Sequence, residues 1–187
     1  MSTSAAATRS RGGGNGDVHV RLGFRGLDFA TSLQPNEANR KPLVVMSDPM
    51  SVNYSEAGRR HLVDCQALAR QRRAGNASHL AGFAAECALK AVLQGLGHLT
   101  LNDKGVPEDR KHKDHIDKIW HEFQARLSGR SEVTYALTGP NPFDDWKIGQ
   151  RYETDSTIDL ATAEKHCAGA AAAMQLLDRA RIEGVVR

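Results

Sequence analysis

The stretch Asn76–Gly97, NASHLAGFAAECALKAVLQGLG, decides the fold. At about 100° per residue it reads as one long helix, with Leu80, Ala84, Cys87, Ala88, Ala91 and Val92 on the larger arc. His79, Glu86 and Lys90 fall within roughly 40° of one line, and Phe83 and Leu93 flank that line. A helix this apolar belongs at the centre of a bundle. Its polar stripe is then either a narrow solvent edge or the wall of a cleft. As a solvent edge, Glu86 and Lys90 would pair at i,i+4 for only about 0.2–0.5 kcal/mol. As a cleft wall, each charge would need a partner. Wheel geometry by itself favours the edge, whereas Phe83, Leu89 and Leu93 on the same side argue against a fully wet face.

Working outward, the preceding segment predicts a helix from Ser51 or Asn53 to Arg73. Tyr54, Ala57, His61, Cys65 and Leu68 recur there at helical spacing. Gly75 is expected to end it and Asn76 to cap the next helix, so the two should form an antiparallel hairpin. Downstream, Asn102–Pro107 reads as a loop. A third helix is expected to open at Pro107, Glu108 and Asp109 and to bury Ile116, Ile119, Trp120, Phe123 and Leu127. The segment from Ser128 to Gly139 is ambiguous, with a short helix around Glu132–Leu137 as one reading. The run GPNPFDDW (residues 139–146) is a rigid, aromatic-bearing loop. Ser156 with Asp159 resembles a capping box for a last helix that reaches about Glu183, with Gly184 as its stop. The expected architecture is an all-α, up-and-down bundle of four or five helices over residues 51–187.

Residues 1–50 are expected to form a disordered or extended N-terminal arm. Residues 1–16 are low-complexity and have nothing to bury. Met46 and Met50 precede the first strong helix, so one reading starts the native chain at one of them and leaves residues 1–45 outside it. The chain's 187 residues suffice for one domain with a sizeable core. Residues 1–50 carry six Arg/Lys against four Asp/Glu, and the remainder nineteen against eighteen. The helical part is thus nearly neutral, and no overall basic field announces nucleic-acid binding. No apolar run approaches the ~18 residues of a membrane span, and the N-terminus lacks the apolar core of a secretory signal. Cys65, Cys87 and Cys167 are far apart and odd in number, which argues against a disulfide framework and for a reducing, cytoplasmic setting.

Beyond the stripe, two groups of residues are candidates for chemistry. Asp145, Trp146, Arg151 and Tyr152 place an Arg beside aromatics in a constrained loop, as a phosphate or base would require. The plainer reading has Trp146 and Tyr152 seal the bundle end while Arg151 pairs with Glu86 or Asp145. Arg110 and His115 give an Arg-x4-His spacing, a cation for a phosphate next to a general acid or base. Arg73 and His79 give a looser second example, and a chain this rich in Arg and His produces such spacings by chance. His112, His115 and His121 lack the pattern of a metal site, and no cofactor-binding motif is present, so no metal or cofactor is expected.

The segment YSEAGRRHLVDCQALARQRRAGNASHLAGFAAECALKAVLQ resembles the first helical hairpin of HEPN-domain proteins. HKDHIDKIWHEF and NPFDDWKIGQRYE resemble downstream segments of one bacterial branch, so the likeness spans Tyr54 to Ile182. The resemblance implies a HEPN-like helical bundle, commonly a homodimer, that acts near RNA or nucleotides in toxin–antitoxin or phage-defence systems. It implies either a metal-independent endoribonuclease with an Arg-x4–6-His motif or a non-catalytic partner of a nucleotidyltransferase or antitoxin. The positions matching the recurrent pattern are His79, Glu86, Lys90, His115, Asp145, Trp146, Arg151 and Tyr152. Arg110 departs from the ribonuclease pattern, being followed by Lys111 and lying ahead of the third helix's apolar stripe. The expectation is a shared polar cleft, with His115 as acid or base and Arg110 or Arg151 as the cation. A purely structural helical subunit with a Glu86–Arg151 brace is the third reading.

Overall fold

The computed structural model describes residues 52–127, 134–154 and 156–187. The expected N-terminal arm, the alternative start sites and the first half (128–133) of the ambiguous segment after Leu127 lie outside the described residues. The described residues form four α-helices: α1 (Tyr54–Arg70), α2 (Ala74–Gly95), α3 (Ile116–Leu127) and α4 (Leu160–Ile182). Single 3-10 turns occupy Arg110–Lys113 and Ile148–Tyr152. The described part is all-α, and no helix in it is long and apolar enough to cross a membrane.

The central helix is α2, which packs against α1, α3 and α4. Its core positions are mostly small: Ala77, Ala81, Ala84, Ala85 and Ala88 are fully buried, followed by Leu89, Val92 and Leu93. Small side chains let neighbouring helices approach closely, and α4 answers with Ala163, Ala170, Ala173 and Ala180. Larger residues fill the side toward α3, where Ile116, Ile119, Phe123 and Leu127 are fully buried with Phe143 and Trp146 from the following loop. Cys65 and Cys167 are buried and free. The hydrogen bond with Cys167, together with burial, pushes the Cys65 thiol up and out of the nucleophilic range.

Helix ends differ from expectation in three places. The α1–α2 turn is made by Arg72, whose φ of 59° takes the left-handed conformation expected of a glycine. Consequently α1 stops at Arg70, and Gly75 and Asn76 fall inside the first turn of α2. Pro107 does not open a helix. It pairs across a β-bridge with Leu101, and Asp109 then caps the 3-10 turn by accepting from Lys111 N at 3.0 Å. Extended backbone at Asp114 delays α3 until Ile116. Lastly, Asp159 rather than Ser156 caps α4, accepting from Thr162 N at 2.7 Å. At the start of α1, one of the two expected starts, Asn53 caps the helix by accepting from Glu56 N. Past α4, Gly184 (φ 75°) lets Val185 N donate back to Ala180 O at 2.8 Å.

Candidate functional site

The hub of the site is the Glu86 carboxylate. Lys90, one helical turn on, donates to its Oε1 at 2.8 Å, and His115 Nδ1 meets Oε2 at 3.1 Å. Lys90 Nζ also donates to the Asp114 carbonyl at 3.2 Å and lies 6.0 Å from the Tyr54 ring centre. Side-chain exposure is 5% for Lys90 and 12% for Glu86, against 40% for His115. The stripe is therefore not a solvent edge. A nearly buried ion pair carries an imidazole at its open end.

Backbone geometry explains why His115 arrives there. The delayed start of α3 leaves His115 just ahead of the helix, where its carbonyl accepts from Ile119 N at 2.9 Å. The ring hangs from a fixed helix end. Glu86 holds its pKa above the ordinary histidine value through the shared hydrogen bond, against an opposing effect of burial. Nδ1–H thus donates to the carboxylate, which fixes the tautomer. Nε2 has no hydrogen-bonding partner among the described residues. Nearby, the Tyr54 hydroxyl is pushed up to about 12 by burial first, then by Cys87 and Glu86.

Around Phe83 the rings form a cluster. His61 comes from α1 (centroids 5.8 Å), His79 from α2 (4.7 Å), His115 from ahead of α3 (6.4 Å) and Trp146 from the loop (6.0 Å). His79 also stacks on Trp146 at 5.5 Å and 14°. Its Nδ1 is buried without a partner. Burial, then Arg151 and His115, lower the His79 pKa. With no acceptor for a proton on Nδ1, the neutral ring keeps its hydrogen on Nε2 and presents a donor.

Asp145 belongs to a second network. Its Oδ1 accepts from His166 Nε2 at 2.9 Å and its Oδ2 from Lys165 at 2.6 Å. On the other side of the imidazole, His166 Nδ1 meets Ser78 Oγ at 2.8 Å. Ser, His and Asp in a row invite comparison with a hydrolytic triad, yet Ser78 and His166 both have 0% exposure. No substrate reaches that hydroxyl, so the row is a brace tying α2, the loop and α4 together. Trp146, also fully buried, joins it by donating from Nε1 to the Ser78 carbonyl at 3.1 Å.

Of the residues predicted from sequence, the fold brings together Glu86, Lys90 and His115 by hydrogen bonds, and His79 and Trp146 by ring contacts. Asp145 turns away toward His166. Arg151 makes no ion pair with Glu86 or Asp145. It is exposed and lies over the Tyr152 ring at 4.7 Å, and Tyr152 itself is 79% exposed. The expected Glu86–Arg151 brace is thus absent, because Lys90 and His115 already occupy both carboxylate oxygens. Arg110 is exposed on its 3-10 turn and has no ion pair among the described residues. Three participants escaped the sequence reading: His61, counted with the α1 core stripe, and Ser78 and His166, whose partners lie far away in sequence. Among the described residues no three His, Cys, Asp or Glu side chains are placed to hold a metal ion.

No protein-family model matches this chain, and no curated protein or solved structure matches it.

Proposed function

We propose that the chain is a HEPN-like bundle whose Glu86–His115 cleft binds RNA and cleaves it without a metal. The observation that carries this reading is the 3.1 Å contact between His115 Nδ1 and a carboxylate only 12% exposed, on an imidazole that is itself 40% exposed. A carboxylate that orients a histidine and stabilises its imidazolium is the arrangement that proton-transfer catalysis requires. With its pKa raised, His115 is suited to donate a proton to a departing oxygen. Arg151, close enough to depress the His79 pKa, supplies a cation at the same mouth, and the His79 N–H supplies a hydrogen bond for a phosphoryl oxygen. Homodimerisation and a toxin–antitoxin or phage-defence context follow from the sequence likeness, a cytoplasmic setting follows from the cysteine usage, and all belong to the same proposal.

The test is incubation of the purified chain with single-stranded RNA in a metal chelator. Cleavage by the wild type, lost in a folded His115→Ala variant, supports the reading; equal cleavage by the variant refutes the role of His115. A binding-only module, holding a nucleotide or serving a nucleotidyltransferase or antitoxin partner, is favoured by one feature, the exposed Arg151–Tyr152 stack on which a base would lie. For that reading RNA stays intact while added nucleotide raises the melting temperature.

A further inference from the structure

We propose that Cys65 and Cys167 are a redox-modification site, joined as a disulfide between α1 and α4 when hydrogen peroxide reaches them. Two antiparallel helices bring these thiols face to face. The start of α1 lies beside the chain that follows α4, since Tyr54 and Ser55 line one cavity with Val185 and Val186. A Cβ on Gly58 would lie 3.0 Å from Met174 Cε, so those two positions face each other across the helix pair. About two turns onward along α1, from 58 to 65, stands Cys65; the same distance back along α4, from 174 to 167, stands Cys167. The register thus sets the cysteines opposite one another, and their thiols are hydrogen-bonded together. Rotation of the two side chains then suffices to bring the sulfurs to bonding distance. Cys87, on α2, has no part in the pair. Its Cβ packs against the Gly58 position, about two turns from Cys65.

Burial gives the two sulfurs different parts. Cys65 has 0% exposure and Cys167 9%, so Cys167 is the one an oxidant meets first. So narrow an opening admits a peroxide and excludes a bulky disulfide such as oxidised glutathione. The Cys65 S–H has two acceptors, the Leu62 carbonyl at 3.1 Å and Cys167. Its bond to Cys167 favours the Cys167 thiolate, the nucleophilic form, against burial and Glu164. That thiolate attacks one peroxide oxygen. The S–O bond forms, the O–O bond breaks, and the departing hydroxide takes up the proton that Cys167 released to solvent. The product is a sulfenic acid on Cys167. Cys65 sulfur then attacks Cys167 sulfur. The S–S bond forms, the S–O bond breaks, and hydroxide leaves as water with the Cys65 proton. The two thiols lose two electrons, and the peroxide gains them and becomes two waters. The new bond ties α1 to α4, which both pack on α2, and closes the chain from residue 65 to residue 167 into a loop.

The experiment treats the full chain with hydrogen peroxide, removes the excess, alkylates under denaturing conditions and measures intact mass, with peptide mapping before and after dithiothreitol. Wild type, Cys65→Ala, Cys87→Ala and Cys167→Ala are compared, and melting curves confirm that each variant folds. The chain has three free cysteines. Oxidised wild type is expected to take up a single alkyl group, on Cys87, and to regain the other two sites after dithiothreitol. Its peptide map should show Cys65 joined to Cys167, and Cys87→Ala should form the same link. Cys65→Ala should stop at the sulfenic acid on Cys167, captured by dimedone. Cys167→Ala should keep Cys65 reduced. The wild-type result alone decides the matter if a variant fails to fold. Wild type that retains all three thiols overturns the proposal, as does a link made through Cys87. Oxidation of Cys65 in Cys167→Ala at the wild-type rate overturns the order of events, and with it the proposal. None of these outcomes touches the RNA reading, which the site around Glu86 carries independently.

Discussion

Glu86 holds two partners with one carboxylate, and both depend on its charge. In Glu86→Gln, the amide oxygen can still accept from Lys90 Nζ, but the negative charge that balances this 5%-exposed ammonium is gone. Removing one charge of a buried pair leaves the other uncompensated, and we expect a loss of about 3–5 kcal/mol. The His115 part of that loss depends on pH. His115 has a folded pKa above its ordinary value of 6.5, so the pairing is fully stabilising below about pH 6.5 and fades as pH rises through the folded value. Urea unfolding at pH 6 and pH 8.5 should therefore show a larger deficit for the variant at pH 6. Equal deficits would mean that His115 and Glu86 are not coupled. Ser78 makes a contrasting case. Ser78→Ala leaves the His166 Nδ1 unpaired in a site with 0% exposure, at a cost of about 1–3 kcal/mol. Because that hydroxyl is a brace, RNA binding or cleavage by Ser78→Ala should match wild type at a temperature where both are folded.

At the scale of elements, the site depends on how close the 139–147 loop comes to α2. Gly82 permits this approach: a Cβ there would run into the Trp146 indole. The indole is fully buried and fastened to the Ser78 carbonyl, so it has nowhere to retreat. Gly82→Ala, harmless by helix propensity, is expected to destabilise by about 1–3 kcal/mol through overpacking. Since His79 and His115 both touch Trp146, it should also disturb their ring resonances. Unchanged unfolding midpoint and tryptophan emission would contradict this packing. The same element view explains the misread boundaries. Residue type pointed to caps at Asn76 and Ser156 and to a helix opening at Pro107, but Arg72 in a left-handed turn makes the first junction, Pro107 pairs with Leu101 in a β-bridge, and Asp159 caps α4. Only the middle of these three shifts bears on the proposed site, since the late start of α3 sets His115 against Glu86.

At the scale of the molecule, four histidines among the described residues have their pKa lowered. Burial is the leading cause of a lowered pKa at His61, His79, His112 and His166. His112 is 1% exposed with neither ring nitrogen hydrogen-bonded. The unfolded chain takes up these protons from about pH 6.5 downward, before the folded chain does. Stability should accordingly fall between pH 7 and pH 5, as the pH drops through that window toward the lower folded values. His115 pulls the other way but is one group against four. Urea midpoints that stay level or rise over this range would show that the buried rings are not neutral.

The sequence by itself determined that the chain is helical and that Asn76–Gly97 lies at the centre. Those conclusions need only period and residue size: alanines at helical spacing, the clean α3 stripe from Ile116 to Leu127, and a cap such as Asn53 act within a few residues of themselves. It also brought Glu86, Lys90 and His79 onto one face, because helix geometry fixes that line. What the line faces was beyond it. Whether Glu86 is wet or buried depends on Asp114 and His115, 28 and 29 residues away, and periodicity carries no information about such distances. The same holds for His61, an ordinary member of a core stripe until α1 sets it against Phe83, and for Asp145, drawn to His166 by a helix beginning fifteen residues later. Tertiary packing decided which charges meet, since an ion pair is worth little until neighbouring helices exclude water from it.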